Sequence, residues 1–185
     1  MHTLASKGQL RTSFLRWSLF FVPLIVLLGF VSGEIGGADT PWFAALEKPA
    51  IFPPPAVFGI VWGVLYVMIG LASALVASAW GARGRALALG VFALHFIGPL
   101  AWTPVFFGLQ EMRIALYVLG YSVVSLLFVV VLYWRVRKWA GILLLPYLAW
   151  ASFAAALNYQ FIAENPDGGP ANPSGAIERF DLGAE

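Results

Sequence analysis

Four stretches of the chain, 57–80, 86–107, 114–134 and 139–162, are almost free of charge. Each is at least as long as the roughly 20 residues a helix needs to cross a hydrocarbon core about 30 Å thick. In such a core the backbone N–H and C=O groups find no water, so they must bond within the segment, as a helix allows. A fifth run, 14–32, is shorter and carries Arg16 near one end, from which a long side chain reaches the interface. The pattern predicts an all-α fold, an integral membrane bundle of five transmembrane helices. Composition agrees: 61% of the 185 residues are hydrophobic and 11% charged, against about 25% charged in a typical soluble domain.

The first run also fits a secretory leader, with a basic start (Lys7, Arg11, Arg16), an apolar stretch and small residues at Ser32 and Gly33. The five-helix expectation takes it as a retained span. The domain plan is then a basic segment 1–13, a membrane domain 14–165 and a polar tail 166–185. The tail, with Pro166, Pro170 and Pro173, has too little apolar surface to order itself and is expected to be disordered.

Charge placement gives an orientation. One set of connections holds Lys7, Arg11, Arg16, Arg83, Arg85, Arg135, Arg137 and Lys138; the other holds Lys48, Arg113 and Arg179. In a bacterial inner membrane this bias puts the N-terminus in the cytoplasm. Trp17, Trp42, Trp80, Trp134 and Trp139 fall at span ends or in connections, where indole rings favour the interface. Trp62, Trp102 and Trp150 fall inside spans and need another reason to be there.

All nine Asp and Glu residues lie outside the five runs. Ion-coupled transporters use ionisable groups at depth, and hydrolases need a nucleophile–base set; neither is indicated. There is no cysteine, no glycine-rich phosphate loop and no metal-spaced histidine cluster, so no metal, required cofactor or nucleic-acid partner is expected and no catalytic residue is assigned. What remains is aromatic and apolar, suited to a flat hydrophobic ligand held by stacking and a few hydrogen bonds.

Phe58, Trp62 and Tyr66 share one face of the second span at helical spacing, as do Trp150, Ala154 and Asn158 on the fifth. Ordinary helix packing produces the same spacing. His95, near the middle of the third span, could bond a ligand or simply be satisfied by a neighbour. Gly59 and Gly63 form a small-xxx-small pair for close helix approach, within the bundle or between two copies. Pro23, Pro99, Pro104 and Pro146 should bend or interrupt their helices. The first long connection combines Trp42, Phe43 and the run Pro53, Pro54, Pro55, a stiff amphipathic loop that fits a lid over the bundle or a segment lying on the interface.

The segments WFAALEKPAIFPPP from Trp42, VWGVLYVMIG from Val61, AWTPVFFG from Ala101 and LLPYLAWASFAAALNY from Leu144 resemble the translocator protein family, also called TspO or tryptophan-rich sensory protein. The likeness covers about residues 14–165. It implies a five-helix bundle, commonly a homodimer, in contact with membrane lipid, that binds protoporphyrin IX or related tetrapyrroles and modulates their handling. It also implies, for some members, light-dependent breakdown of bound porphyrin, in which Trp62 and Trp150 would be the essential pair. The candidate ligand-binding residues are therefore Trp42, Pro54, Phe58, Trp62, Tyr66, His95, Trp102, Phe106, Trp150, Ala154 and Asn158.

The chain departs from the family pattern at Pro99, where Asn is frequent, at His95, where Gln is frequent, and near Ile51 and Ala56, where the loop usually carries tryptophan. The sterol-recognition pattern is incomplete too: Leu157 and Tyr159 are present, but Glu164 stands where a base belongs.

Overall fold

The computed structural model describes residues 6–169; residues 1–5 and 170–185, which include most of the expected tail, lie outside the described residues. Five helices are long and apolar enough to cross a membrane. They are α1 (Lys7–Gly36), α3 (Pro55–Ala77), α4 (Arg85–Thr103), α5 (Met112–Val136) and α6 (Lys138–Glu164), with a short α2 (Pro41–Ala45) in the first long connection. Each covers an expected span with small shifts at the ends. α1 is longer than 14–32 because Ser6 caps it, its hydroxyl accepting from the Gln9 N–H while the Gln9 side chain accepts from the Ser6 N–H.

Small residues decide which helices approach closely. A Cβ at Gly70 would lie 2.7 Å from Val22 Cα, so α3 meets the backbone of α1 there. A Cβ at Gly29 would run into the Tyr66 ring, and one at Gly141 would lie 2.8 Å from Trp134 Cβ. Gly59 and Gly63 are exposed, with open space beside both. The expected small-xxx-small pair is therefore not what packs α3 within the chain.

Helix continues through Pro23, Pro99 and Pro146. The interruption comes at Pro104, where α4 gives way to a π-helical turn, Pro104–Gly108, closed by Leu109 N–H donating to the Pro104 carbonyl at 2.9 Å. Proline has no N–H to offer the carbonyl four residues back. That carbonyl, on Leu100, instead accepts from the Ser32 hydroxyl of α1 at 2.7 Å, so the break in one helix becomes a bond to another.

The two ends differ in charge. Among the described residues the carboxylates are Glu34, Asp39, Glu47, Glu111, Glu164 and Asp167, all at the end that carries α2. The other end carries Arg11, Arg16, Arg83, Arg85, Arg135, Arg137 and Lys138.

Glycine packing gives a direct test. Gly70→Ala should destabilise the protein by about 1–3 kcal/mol, because the added carbon must displace α1 backbone. Gly90→Ala, at an exposed helical position with nothing nearby, should be neutral or stabilising by up to about 1 kcal/mol. Thermal unfolding in one detergent, followed by circular dichroism, compares the two.

Candidate functional site

The connection after α1 folds back over the bundle, as the lid alternative expects. Thr40 caps α2, its hydroxyl accepting from Phe43 N–H at 3.1 Å, with Pro41 at the first helical position. Trp42 and Leu46 are buried, and they pack with Phe106, Met112, Leu157 and Phe161 in a second core under the loop. Trp42 meets Phe106 edge-on at 5.8 Å, and Phe43 meets Phe107 at 4.9 Å and Phe161 at 5.8 Å. The Lys48 ammonium donates to the carbonyls of Phe43 and Leu46 and sits 4.4 Å above the Phe43 ring. Desolvation there lowers its pKa, opposed by neighbouring Glu47.

The lid is latched to the end of α6. Asn165 Oδ1 accepts from Glu47 N–H at 2.9 Å, and Asn165 Nδ2 donates to the Glu47 carbonyl at 3.0 Å. Trp42 Nε1 donates to the Gly168 carbonyl at 3.1 Å. Asn165 and Gly168 were not among the expected site residues. The first residues of the expected tail are thus held against the loop rather than hanging free of it.

Below the lid the candidates separate into two groups. Some are locked in the interior. His95 is fully buried between Ser125 Oγ, 2.8 Å from Nδ1, and Tyr147 Oη, 3.1 Å from Nε2. Because the Ser125 hydroxyl donates to the Tyr121 carbonyl at 2.6 Å, it accepts from His95 Nδ1–H, leaving Nε2 to accept from Tyr147. Both ring nitrogens are occupied, so His95 fits the alternative of a satisfied structural histidine. Asn158 accepts from Trp102 Nε1 at 3.1 Å and donates to the Met112 carbonyl at 2.9 Å. Trp102 stacks on Phe106 at 5.3 Å, and Ala154, one turn before Asn158 on α6, is buried.

The other group lies along α3 and α6. Trp62 stacks on Tyr66 at 5.3 Å and meets Tyr147 edge-on at 6.1 Å. Phe58 joins the lid to α6, with Phe52 at 5.4 Å on one side and Trp150 at 5.7 Å on the other. Pro54 is exposed at the start of α3. Beside them a groove of about 500 Å³ opens between α3 and α6, lined by Ile60, Val64, Met68, Pro146, Trp150 and Phe153 among others. Of the two tryptophans singled out in the sequence, Trp150 lines this groove. Its indole N–H is buried and has no hydrogen-bond partner among the described residues.

This arrangement can hold a flat apolar molecule against the aromatic side chains of Trp150 and Phe153. Residues 21–163 match the TspO/MBR family. The chain belongs to the TspO/MBR family. It is similar to the tryptophan-rich sensory protein of Cereibacter sphaeroides, at 40% identity over 67% of this chain and 77% of that protein. It is also similar to the human translocator protein, at 37% identity over 70% and 76%. Protein CrtK of Rhodobacter capsulatus matches at 31% identity over 73% and 86%. Like the family, the chain is a multi-pass integral membrane protein.

Asn158→Leu should leave Trp102 Nε1–H without its acceptor, while the Met112 carbonyl, in the first turn of α5, keeps its helical N–H. A buried group left unsatisfied costs about 1–3 kcal/mol, so thermal unfolding in detergent should show a drop in midpoint. Trp102→Phe in the Asn158→Leu background should cost less than it does alone, because the indole donor has already lost its acceptor.

Proposed function

We propose that this TspO/MBR family member binds a porphyrin, protoporphyrin IX or a related tetrapyrrole, within the membrane and acts as a sensor modulating tetrapyrrole handling. The observation that carries this reading is Trp150 in the wall of the apolar groove, with an indole N–H that has no partner among the described residues. A buried donor without an acceptor is costly, and a flat ligand whose acceptor displaces the side chains over Trp150 Nε1 relieves that cost. The groove volume of about 500 Å³ is in the range of small-molecule sites, about 300–1,000 Å³. The lid reaches the groove wall through ring contacts from Phe52 to Phe58 to Trp150 and would cover the ligand from above. Family membership and the sensory name of the Cereibacter sphaeroides relative support the same reading.

Titrating protoporphyrin IX into the detergent-solubilised protein should quench tryptophan fluorescence saturably. Trp150→Phe keeps the ring and removes the donor, so affinity should fall about fivefold, the worth of one neutral hydrogen bond. Unchanged affinity in Trp150→Phe and in the Trp62→Phe/Trp150→Phe double variant would remove the pocket assignment. Under illumination the bound Soret band should fade no faster than that of free porphyrin. Faster, Trp150-dependent fading would make the protein a photo-oxidative enzyme instead.

A homodimer belongs to the same proposal. The face of α3 that carries Gly59, Gly63 and the exposed Val67, none of which lines the groove, is open to a second copy, whose backbone could approach the two glycines closely. Light scattering in detergent should give a dimer for the native chain and a monomer for Gly63→Leu.

A further inference from the structure

At the basic end, far from the lid, α1 and the connections after α3 and α5 enclose a second cleft, of about 810 Å³. Gln9, Ser13, Arg16, Trp17, Trp80 and Arg137 line much of it. We propose that this cleft holds the headgroup of an anionic glycerophospholipid, with the phosphodiester between Arg16 and Arg137.

Three observations support the assignment independently of the porphyrin reading. The first is uncompensated charge. Every carboxylate of the described residues lies at the opposite end, so none is available to neutralise Arg16 or Arg137. The second is an ordered aromatic wall. Trp17 and Trp80 lie 6.3 Å apart, and Trp80 Nε1 donates to Ser13 Oγ at 3.3 Å. The Arg85 guanidinium rests 4.2 Å from the Trp80 ring while its Nε donates to the Ala77 carbonyl at 2.8 Å. Arg85 is thereby spent on the C-terminal end of α3, leaving Arg16 and Arg137 as the cleft's cations.

The third is continuity with the lipid-facing surface. Leu10 and Phe20 belong to the cleft lining and are 47% and 54% exposed. Leu19 beside them on α1 is 76% exposed. A free phosphate would use only the polar half of this lining; a diacyl lipid would place its phosphate on the arginines and its chains along α1. Guanidinium groups bind phosphate oxygens in a forked geometry, and indoles favour the level of the headgroups.

The test uses the purified full chain in a neutral detergent, titrated with dioleoylphosphatidylglycerol or dioleoylphosphatidylcholine and followed by native mass spectrometry. The native chain should prefer the anionic lipid by about tenfold or more. Each arginine beside an anionic headgroup is worth about fivefold in affinity, so Arg16→Gln/Arg137→Gln should abolish the preference. Arg16→Lys/Arg137→Lys should keep most of it, and its helicity reports that the fold tolerates change at these positions. Arg83→Gln/Arg135→Gln, which removes the same charge from the same end outside the cleft, should lose less than about twofold.

No preference in the native chain would overturn the proposal, as would equal losses in the two glutamine pairs. Displacement of phosphatidylglycerol by inorganic phosphate or glycerol phosphate at equal concentration would assign the cleft to a soluble anion instead. Porphyrin binding is read separately by tryptophan quenching, so either result stands without the other.

Discussion

His95 joins three helices through one imidazole: it donates from α4 to Ser125 on α5 and accepts from Tyr147 on α6. In a membrane the hydrophobic effect does little to hold helix to helix, since lipid tails are as apolar as leucine. Cohesion comes from close packing and from polar side chains that find their partners across helices. The bundle supplies few such bonds and places each at a junction. Ser73 and Tyr133 tie α3 to α5 at 3.0 Å, Ser32 ties α1 to the opened end of α4, and Asn158 ties α6 to both Trp102 and Met112. The groove beside Trp150 lies between α3 and α6, which no side-chain hydrogen bond joins among the described residues.

The same constraint explains what could be read in the sequence. Span positions were legible because hydrocarbon thickness and backbone hydrogen bonding dictate the length and polarity of the runs, and the helices extend the expected ranges by only a few residues at most ends. The lid was legible in part: the apolar side of Trp42 and Phe43 fits a cover or a segment on the interface equally well, and only their ring contacts with Phe106 and Phe161 decide between the two. The sequence leaves the role of His95 open because its partners, Ser125 and Tyr147, are 30 and 52 residues away. Asn165 carries no local signal, because a polar residue just beyond a span reads as interface. Nothing local says that its amide meets Glu47, 118 residues earlier.

The candidate site was legible as residue types more than as geometry. Phe58, Trp62 and Tyr66 do lie along α3, yet Trp62 turns to Tyr147 and Tyr66 lies on Gly29, while Phe58 turns to Trp150. Helical spacing distributes side chains around an axis, and only the neighbours decide which sector is open. Gly59 and Gly63 illustrate the converse. Their spacing suits close approach, but the close approaches within the chain use Gly29, Gly70, Gly98 and Gly141 instead.

Asn165 pairs with Glu47 much as one strand pairs with the next: a single side-chain amide answers both the N–H and the C=O of one residue in the loop. With Trp42 on the Gly168 carbonyl, the cover of the bundle and the exit of its last helix form one mechanical piece. Lifting the cover therefore either breaks the bonds to Asn165 and Gly168 or carries those two residues with it, so a change in the loop costs more than the loop's own contacts.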